Sequence, residues 1–156
     1  GKFYDMAPPS RIHQRLVFTI SRIIGNYIAD HHGSCEVYPA PFAVNLDADD
    51  KDWVEPDVSI ICDPNKLTDR GCSGAPDLIF EIVSPSSRKL DYGIKNGIYS
   101  QSGVREYWIV DPAKERVTVY HYEDDAAPAI YSFEQDIPVG VYPGLTIKIN
   151  DLLENY

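Results

Sequence analysis

No long hydrophobic run occurs in this sequence. A membrane-spanning helix needs roughly 18 consecutive apolar residues, and polar or charged residues interrupt every apolar stretch before that length. The first residues also lack the basic segment followed by an apolar segment that is typical of a secretion signal. We therefore expect a cytoplasmic protein that makes no membrane contact.

Cysteine is scarce, and its spacing argues against two common uses. Cys35, Cys62 and Cys72 are too few and too scattered for a disulfide framework, and none belongs to a C-x-x-C pair of the kind that binds structural zinc. No histidine spacing indicates a zinc site either. These absences predict a protein of a reducing compartment, without a disulfide framework.

Positive charge is scarce as well, because the formal net charge is -10. A surface that binds nucleic acid normally carries clustered lysine and arginine, so this balance argues against a nuclease. Two considerations weaken that argument. The carboxylates of a metal site count as uncompensated charge until the metal binds, and net charge does not describe the local distribution of charge.

The composition that remains is typical of one globular domain. With 156 residues, of which 44% are hydrophobic and 24% charged, the chain can bury a core without staples. We expect a single domain over residues 1–156, whose abrupt start leaves room for a short missing upstream segment. No internal repeat is visible.

Hydrophobic periodicity predicts a mixture of helices and strands. In the first half, the predicted elements are a short strand in 1–6, a helix capped by Ser10, an interrupted strand in 36–46, an acidic turn in 47–55, a strand from Val58 and a surface loop in 63–76. In the second half they are a strand in 77–83, a helix in 88–102 ended by Gly103, a hairpin of 106–110 and 116–122, weak strands near 129–133 and 146–149, and a short closing helix. The helix in 88–102 has an apolar face, which we expect to be buried, formed by Leu90, Ile94, Ile98 and Tyr99. This order predicts an α/β (mixed α+β) fold, a mixed central β-sheet flanked by α-helices.

Glu81 lies within the most apolar strand, between Phe80 and Ile82. A carboxylate there is costly to desolvate, so a metal ion, a cationic side chain or a solvent-lined cleft must compensate it. Alternatively, residues 77, 79, 81 and 83 form the solvated face of a half-exposed strand. We favour burial, because central strands of such sheets are covered on both faces.

Asp57 and Lys95 are the candidates for partners of Glu81. Asp57 opens the neighbouring strand after a proline, so pairing of the two strands would bring both carboxylates to one end of the sheet, where they suit Mg²⁺; an Asp after Pro is also a common turn former. Lys95 shares a helix face with Asp91, and their helix follows the Glu81 strand. Either Lys95 folds back over Glu81, or Lys95 and Asp91 form a solvated ion pair on the helix surface.

Several segments resemble one known group of proteins, the restriction-endonuclease-like proteins of the Uma-two type within the PD-(D/E)XK nuclease superfamily. They span most of the chain, and the block from Asp77 to Pro112 is the most specific. The matching segments are Ser10 to Gln14, Glu55-Pro-Asp57-Val, Gly74-Ala-Pro-Asp-Leu78 into Glu81-Ile-Val-Ser-Pro-Ser86, Asp91 to Lys95, and Gly103-Val-Arg-Glu-Tyr-Trp-Ile-Val-Asp-Pro112.

The resemblance implies a restriction-endonuclease-like core with Asp57 and Glu81 as metal ligands. The superfamily places its catalytic lysine two residues after the glutamate, a position that is Val83 here, so the resemblance implies that Lys95 takes this role from the following helix. The accessory candidates are His13 and Gln14, where the superfamily often has a further polar residue, together with Asp77, Arg88, which either meets phosphates or is ordinary surface charge, and Asp91.

These expectations combine into a magnesium-dependent endodeoxyribonuclease, with manganese as the substitute ion. Asp57, Glu81 and the Ile82 backbone carbonyl would hold the ion, Lys95 would orient the attacking water, and DNA would be the substrate. The family resemblance also implies a homodimer. The alternatives are a catalytically inactive nuclease fold that binds nucleic acid or protein, which the acidic balance favours, and a metal-binding regulatory domain.

Overall fold

A computed structural model describes residues 8–51 and 53–156, which form helices and short strands around one large sheet. In chain order the elements are α1 (Arg11–Asp30), β1 (Glu36–Pro39), β2 (Val44–Asn45), β3 (Trp53–Val54), β4 (Val58–Ile61), a 3-10 turn (Pro64–Lys66), β5 (Leu67–Thr68), β6 (Gly71–Ser73), β7 (Leu78–Ile82), a π-helical segment (Leu90–Lys95), α2 (Asn96–Ser102), β8 (Glu106–Asp111), β9 (Arg116–His121), β10 (Ala129–Ser132), β11 (Ile137–Pro138), β12 (Thr146–Ile147) and α3 (Ile149–Leu152). The strand predicted in 1–6 lies outside the described residues.

The main sheet has six strands in the order β1-β4-β7-β8-β9-β10. Strands β7 and β8 are parallel, and the other neighbouring pairs are antiparallel. Parallel neighbours need a crossover connection, and the π-helical segment with α2 supplies it. The mixed sheet with flanking helices confirms the predicted fold class.

Strand β7 lies at the centre of the sheet and is buried over its whole length. Its even-numbered side chains, such as Phe80, pack in the core cluster that contains α1, and its odd-numbered apolar side chains, such as Ile79, pack in a second cluster with Tyr99 after the π-helical segment. Glu81 shares that second face because side chains alternate along a strand. The prediction that this strand is covered on both faces is confirmed.

Helix α1 begins where its cap was predicted. The Ser10 side chain accepts a hydrogen bond from the His13 amide at 3.2 Å, and such a cap satisfies one of the amides that a helix start leaves unpaired. The apolar stripe of the helix, with Leu16, Ile20 and Ile24, is buried in the core. The cap and the stripe together fix where the first turn, which carries His13, lies.

A second, four-stranded sheet replaces most of what was predicted as turn and loop. It has the order β3-β2-β6-β5, so the acidic turn in 47–55 contains a strand and the surface loop in 63–76 contains two. The segment 36–46 divides between the two sheets. Within the second sheet, Gly71 permits the close pairing of β6 with the residue before β2, since a Cβ at this position would lie 2.0 Å from the Ala43 carbonyl oxygen; a glycine allows such backbone approach.

Cys35 and Cys62 form a disulfide bond, a pairing that the sequence did not predict when the three cysteines were judged too few and too scattered for a disulfide framework. The sheet register explains the pairing. Glu36 pairs with Ile61 across β1 and β4, so the residues just outside that pair face each other, with Cα atoms 4.0 Å apart. Sequence spacing does not reveal a pairing that strand register creates.

The disulfide predicts a specific thiol count. Protein purified without reductant and then denatured should react with one equivalent of a thiol reagent, at Cys72, which is free and buried. After reduction it should react with three. Mass measurement after alkylation gives both numbers, and three reactive thiols before reduction would contradict the bond.

The remaining predicted elements agree with the structure. The hairpin forms β8 and β9, and the weak strands and the closing helix correspond to β10, β12 and α3. Gly103 ends α2 in the left-handed region, with φ 94°. Within residues 8–51 and 53–156, none of the helices has the length and apolar character needed to span a bilayer.

Candidate active site

Two carboxylates meet at one end of the sheet, where β4 begins and β7 ends. The register pairs Val58 with Phe80, so Asp57 lies opposite Glu81. The Asp57 amide donates to Glu81 Oε1 at 3.0 Å, and Asp57 Oδ2 accepts from the Ile82 amide at 2.8 Å. These reciprocal bonds join both acids to the two strands.

The Ile82 backbone faces the same gap. Its amide points toward Asp57, and the N–H and C=O groups of one residue in a strand point to the same side. The Ile82 carbonyl is therefore directed toward the gap that contains Asp57, as its expected role requires.

Lys95 folds back over Glu81. Its Nζ lies 2.9 Å from Glu81 Oε2 and 3.0 Å from Asp91 Oδ1. Both carboxylates are almost fully buried, whereas a quarter of the Lys95 side chain is exposed. We call Asp57, Glu81, Asp91 and Lys95 the acid–lysine cluster.

The helix that carries Lys95 faces the sheet differently from the prediction. Leu90 and Ile94, which were expected in the core, are 43% and 64% exposed, while Asp91 and Tyr99 are buried. The inward row is Asp91, Lys95 and Tyr99. The predicted inward face is correct at Tyr99 and, in part, at Ile98, which packs against the second core cluster. It was wrong at Leu90 and Ile94 because the prediction followed apolar residues, whereas the sheet beneath presents a carboxylate.

The π-helical segment explains why Lys95 and Tyr99 both reach Glu81 from the same side of the helix. In an α-helix each step of four residues overshoots a full turn by about 40°, so three such residues drift around the axis. The wider π-turn falls short of a full turn over four residues. Asp91 and Lys95 lie within the π-helical segment and Tyr99 lies in α2, so the two deviations oppose each other and all three side chains reach Glu81 or its partner.

His13 and Gln14 join the site from the first turn of α1. His13 Nε2 lies 3.2 Å from Asp57 Oδ2, and its Nδ1 lies 2.9 Å from Gln14 Oε1. The hydrogen bond with Asp57 raises the pKa of His13 above its usual value, against the opposing effect of burial. The structure thus brings His13 to the Asp57 carboxylate, and Gln14 supports it through the other ring nitrogen.

Burial has the largest effect on the pKa of Glu81. Burial raises the pKa of Glu81 to about 7, because desolvation penalises the charged form more than the Lys95 ammonium favours it. For Lys95, burial alone would lower the pKa, but the charges of Glu81 and Asp91 more than offset it and raise the pKa above its usual value. Lys95 therefore stays protonated where Glu81 titrates.

Tyr99 is a site residue that the sequence reading missed. Its hydroxyl donates to Glu81 Oε2 at 2.9 Å, although the sequence suggested only an apolar contact. The neighbouring Tyr107 hydroxyl donates to the Asp91 carbonyl at 3.0 Å. The spacing of Asp91, Lys95 and Tyr99 by four residues was the available signal, and it was read only for the first pair.

Asp77 and Arg88 are not brought into the cluster. Asp77 precedes β7 at its opposite end, about 13 Å along the strand from Glu81, where it accepts from the Cys62 amide at 2.8 Å and pairs with Arg105. Arg88 donates twice to the buried Asp111, at 3.1 Å each. Burial alone would raise the pKa of Asp111, but the pairing with Arg88 more than offsets it and lowers this pKa. The Arg88 guanidinium is therefore engaged by Asp111 rather than by the cluster.

The donor set fits a hard divalent cation. Within the described residues, no group of three His, Cys, Asp or Glu side chains encloses a metal site, but Mg²⁺ is commonly held by one or two carboxylates and keeps several waters. The Ile82 amide and His13 both contact Oδ2 of Asp57, and Oε1 of Glu81 accepts one hydrogen bond, from the Asp57 amide. An oxygen on each acid thus remains available beside the Ile82 carbonyl.

Comparison with known proteins supports the same fold. A crystal structure described as "a putative nuclease belonging to DUF820" from Anabaena variabilis ATCC 29413 superposes with a TM-score of 0.75 at 18% identity, covering 99% of this chain and 87% of the other. Two relatives are uncharacterized proteins of Synechocystis sp. One, slr1290, is 25% identical over 135 residues, or 86% of this chain and 70% of the relative. The other, sll1609, is 29% identical over 128 residues, or 80% of this chain and 71% of the relative.

The sequence profile of one family extends over nearly the whole chain. The profile of Uma2, described as "Putative restriction endonuclease", matches residues 1–150, which include every residue of the acid–lysine cluster. The match confirms the resemblance inferred from the sequence motifs. The chain therefore belongs to the Uma2 family.

Proposed function

We propose that this protein is an endonuclease that hydrolyses DNA phosphodiester bonds with a bound Mg²⁺ or Mn²⁺ ion. The observation that carries the proposal is the convergence of Asp57 and Lys95 on Glu81, which accepts hydrogen bonds from the Asp57 amide and from the Lys95 ammonium. Membership of a family described as "Putative restriction endonuclease" supports the same activity.

The charges of the acid–lysine cluster support a divalent cation. Three carboxylates and one ammonium sum to -2 when all are ionised, since -3 plus +1 is -2. A divalent ion balances that sum, and the negative charge that opposed nucleic acid binding is then removed locally. In the proposal Asp57, Glu81 and the Ile82 carbonyl hold the ion, which would stabilise charge on the phosphate and acidify the attacking water.

The protein's own side chains orient the reaction. Lys95 is partly exposed, so its ammonium can direct water and neutralise developing negative charge at the phosphate. His13, supported by Gln14, holds Asp57 Oδ2 and thereby fixes which oxygen of Asp57 faces the ion. We further propose that the protein acts in the cytoplasm as a homodimer, an inference that rests on the sequence and the family resemblance.

A plasmid-cleavage assay tests the proposal. Supercoiled plasmid with Mg²⁺ or Mn²⁺ should be nicked by the wild-type protein, and Asp57→Asn should lower the rate by more than about 100-fold, because even residues that only orient a metal ligand contribute 10- to 100-fold. Addition of a chelator should stop cleavage.

Asp77→Asn is the matched control. It makes the same chemical change just before the neighbouring strand, β7, and the asparagine can still accept the Cys62 amide bond, so cleavage should remain close to the wild-type rate. Equal nicking by the wild-type, Asp57→Asn and Asp77→Asn proteins would indicate a contaminating nuclease. Absence of nicking by pure wild-type protein on several DNA forms would favour the inactive binding fold.

A further inference from the structure

The buried hydroxyl of Tyr99 is directed at Glu81, a residue that the proposed function uses. The donor distance to Glu81 Oε2 is 2.9 Å, and neither Tyr99 nor Glu81 is appreciably accessible to solvent. A substrate therefore does not reach the hydroxyl, and any effect of Tyr99 on cleavage must pass through the carboxylate.

Glu81 accepts three hydrogen bonds, which divide between its two oxygens. Oε2 accepts from Lys95 and Tyr99, and Oε1 accepts from the Asp57 amide. The backbone bond fixes one oxygen to the strand, but Lys95 alone is a flexible anchor for the other, because its ammonium is shared with Asp91. A tyrosine has few rotatable bonds and a fixed ring, so its hydroxyl defines a direction that a lysine does not.

The position of the Tyr99 ring is itself fixed by packing. The ring meets that of Tyr107 edge to face, with centroids 4.9 Å apart and an interplanar angle of 77°, a preferred arrangement of aromatic pairs. Tyr107 is in turn held by its bond to the Asp91 carbonyl. Burial and the nearby charge of Glu81 also raise the pKa of Tyr99 well above its usual value, so the hydroxyl keeps the proton that it donates.

We propose that Tyr99 is a positioning residue, whose hydroxyl holds Oε2 of Glu81 so that Oε1 stays turned toward Asp57 and the cation. This inference rests on the proposed function for its effect on cleavage, but the contact itself can be tested without activity. The inward row of Asp91, Lys95 and Tyr99 then acts as one unit. Asp91 fixes the lysine, and the lysine and the tyrosine together fix the glutamate.

Tyr99→Phe is the variant that tests the proposal, because it removes the hydroxyl and keeps the ring contact with Tyr107. Its matched control is Tyr122→Phe, since the Tyr122 hydroxyl bonds to Asn96 on the same helix but does not touch the acid–lysine cluster. We expect Tyr99→Phe to lower kcat for plasmid cleavage on the order of tenfold, the value of one hydrogen bond to a charged group, with KM for DNA unchanged. Tyr122→Phe should leave kcat at the wild-type value.

Two further measurements separate positioning from a loss of stability and from a failure of the proposed function. The carboxyl-carbon NMR signal of Glu81 in glutamate-labelled protein, identified by its loss in Glu81→Gln, should move in Tyr99→Phe and stay in place in Tyr122→Phe. Titration calorimetry should show weaker Mn²⁺ binding in Tyr99→Phe alone. If pure wild-type protein does not cleave DNA, the proposed function fails, and the NMR signal still decides whether Tyr99 holds Glu81.

The proposal is overturned by an unmoved Glu81 signal in Tyr99→Phe, or by equal changes in kcat and in the signal for both variants. The first result would mean that the hydroxyl does not fix the carboxylate. The second would mean that the loss of any tyrosine hydroxyl that bonds at this helix has the same effect, which is a structural role.

Discussion

Glu81→Gln is expected to abolish Mn²⁺ binding and plasmid cleavage while making the folded protein more stable at alkaline pH. Glutamine keeps the shape of the side chain, and its one oxygen can still accept the bonds from Lys95 and Tyr99, while its amide nitrogen loses the bond from the Asp57 amide. It removes the negative charge that a hard cation needs. Cleavage should fall by more than about 100-fold, because even partners that only orient a metal ligand contribute 10- to 100-fold.

The stability effect follows from the pKa of Glu81. Burial raises this pKa to about 7 from the model-peptide value of 4.5, so between these two values the folded state binds more protons than the unfolded state. Stability then falls as the pH rises through this window and is constant above it. Glutamine behaves as the protonated acid, so its advantage should grow from near zero at pH 4.5 to at most about 3 kcal/mol at pH 8.

Urea unfolding of both proteins at several pH values measures this difference. Asp77→Asn serves as control, since its carboxylate lies outside the acid–lysine cluster. A variant that is less stable than wild type at pH 8, or that keeps wild-type affinity for Mn²⁺, would contradict this account of Glu81.

Lys95→Met is expected to produce the largest loss of stability among single changes at the site. It leaves Glu81 and Asp91, both nearly fully buried, without their shared cation. Removing one partner of a buried ion pair costs roughly 3–5 kcal/mol, because the remaining charge is uncompensated. The loss should be smaller at pH 6 than at pH 8, because Glu81, whose pKa is raised, takes up a proton at the lower pH.

A double variant separates the stability effect of Lys95 from its proposed catalytic effect. In Lys95→Met/Glu81→Gln only Asp91 remains charged, so part of the lost stability should return at pH 8, as an urea-unfolding cycle of the four proteins can measure. Neither Lys95→Met nor the double variant should cleave plasmid. A strictly additive cycle would mean that Lys95 and Glu81 do not interact, contrary to their 2.9 Å contact.

The helix after β7 illustrates how far hydrophobic pattern alone can lead. The pattern located the helix and its terminating Gly103, because both depend on local backbone preferences. It turned the wrong side inward at Leu90 and Ile94, because the pattern assumes an apolar surface beneath the helix. The surface beneath includes the buried carboxylate of Glu81, which needs hydrogen-bond donors such as Lys95 and Tyr99 rather than apolar side chains.

The pairing of Cys35 with Cys62 and the small second sheet were missed for a related reason. Both depend on contacts between residues distant in the chain, and their strands are only two to four residues long. A two-residue strand has no measurable alternation. Its existence is decided by the neighbours with which it pairs, such as Val44 beside Cys72.

The sequence by itself determined the class of fold, the central strand, the cap at Ser10 and the identity of Asp57, Glu81 and Lys95 as candidates, because each depends on local pattern, on the cost of burying a carboxylate or on a family motif. The tertiary structure decided which groups meet. It brought His13 and Tyr99 to the carboxylates and separated Asp77 and Arg88 from them. The physical reason is that strand register and the π-helical segment fix positions that no local preference specifies.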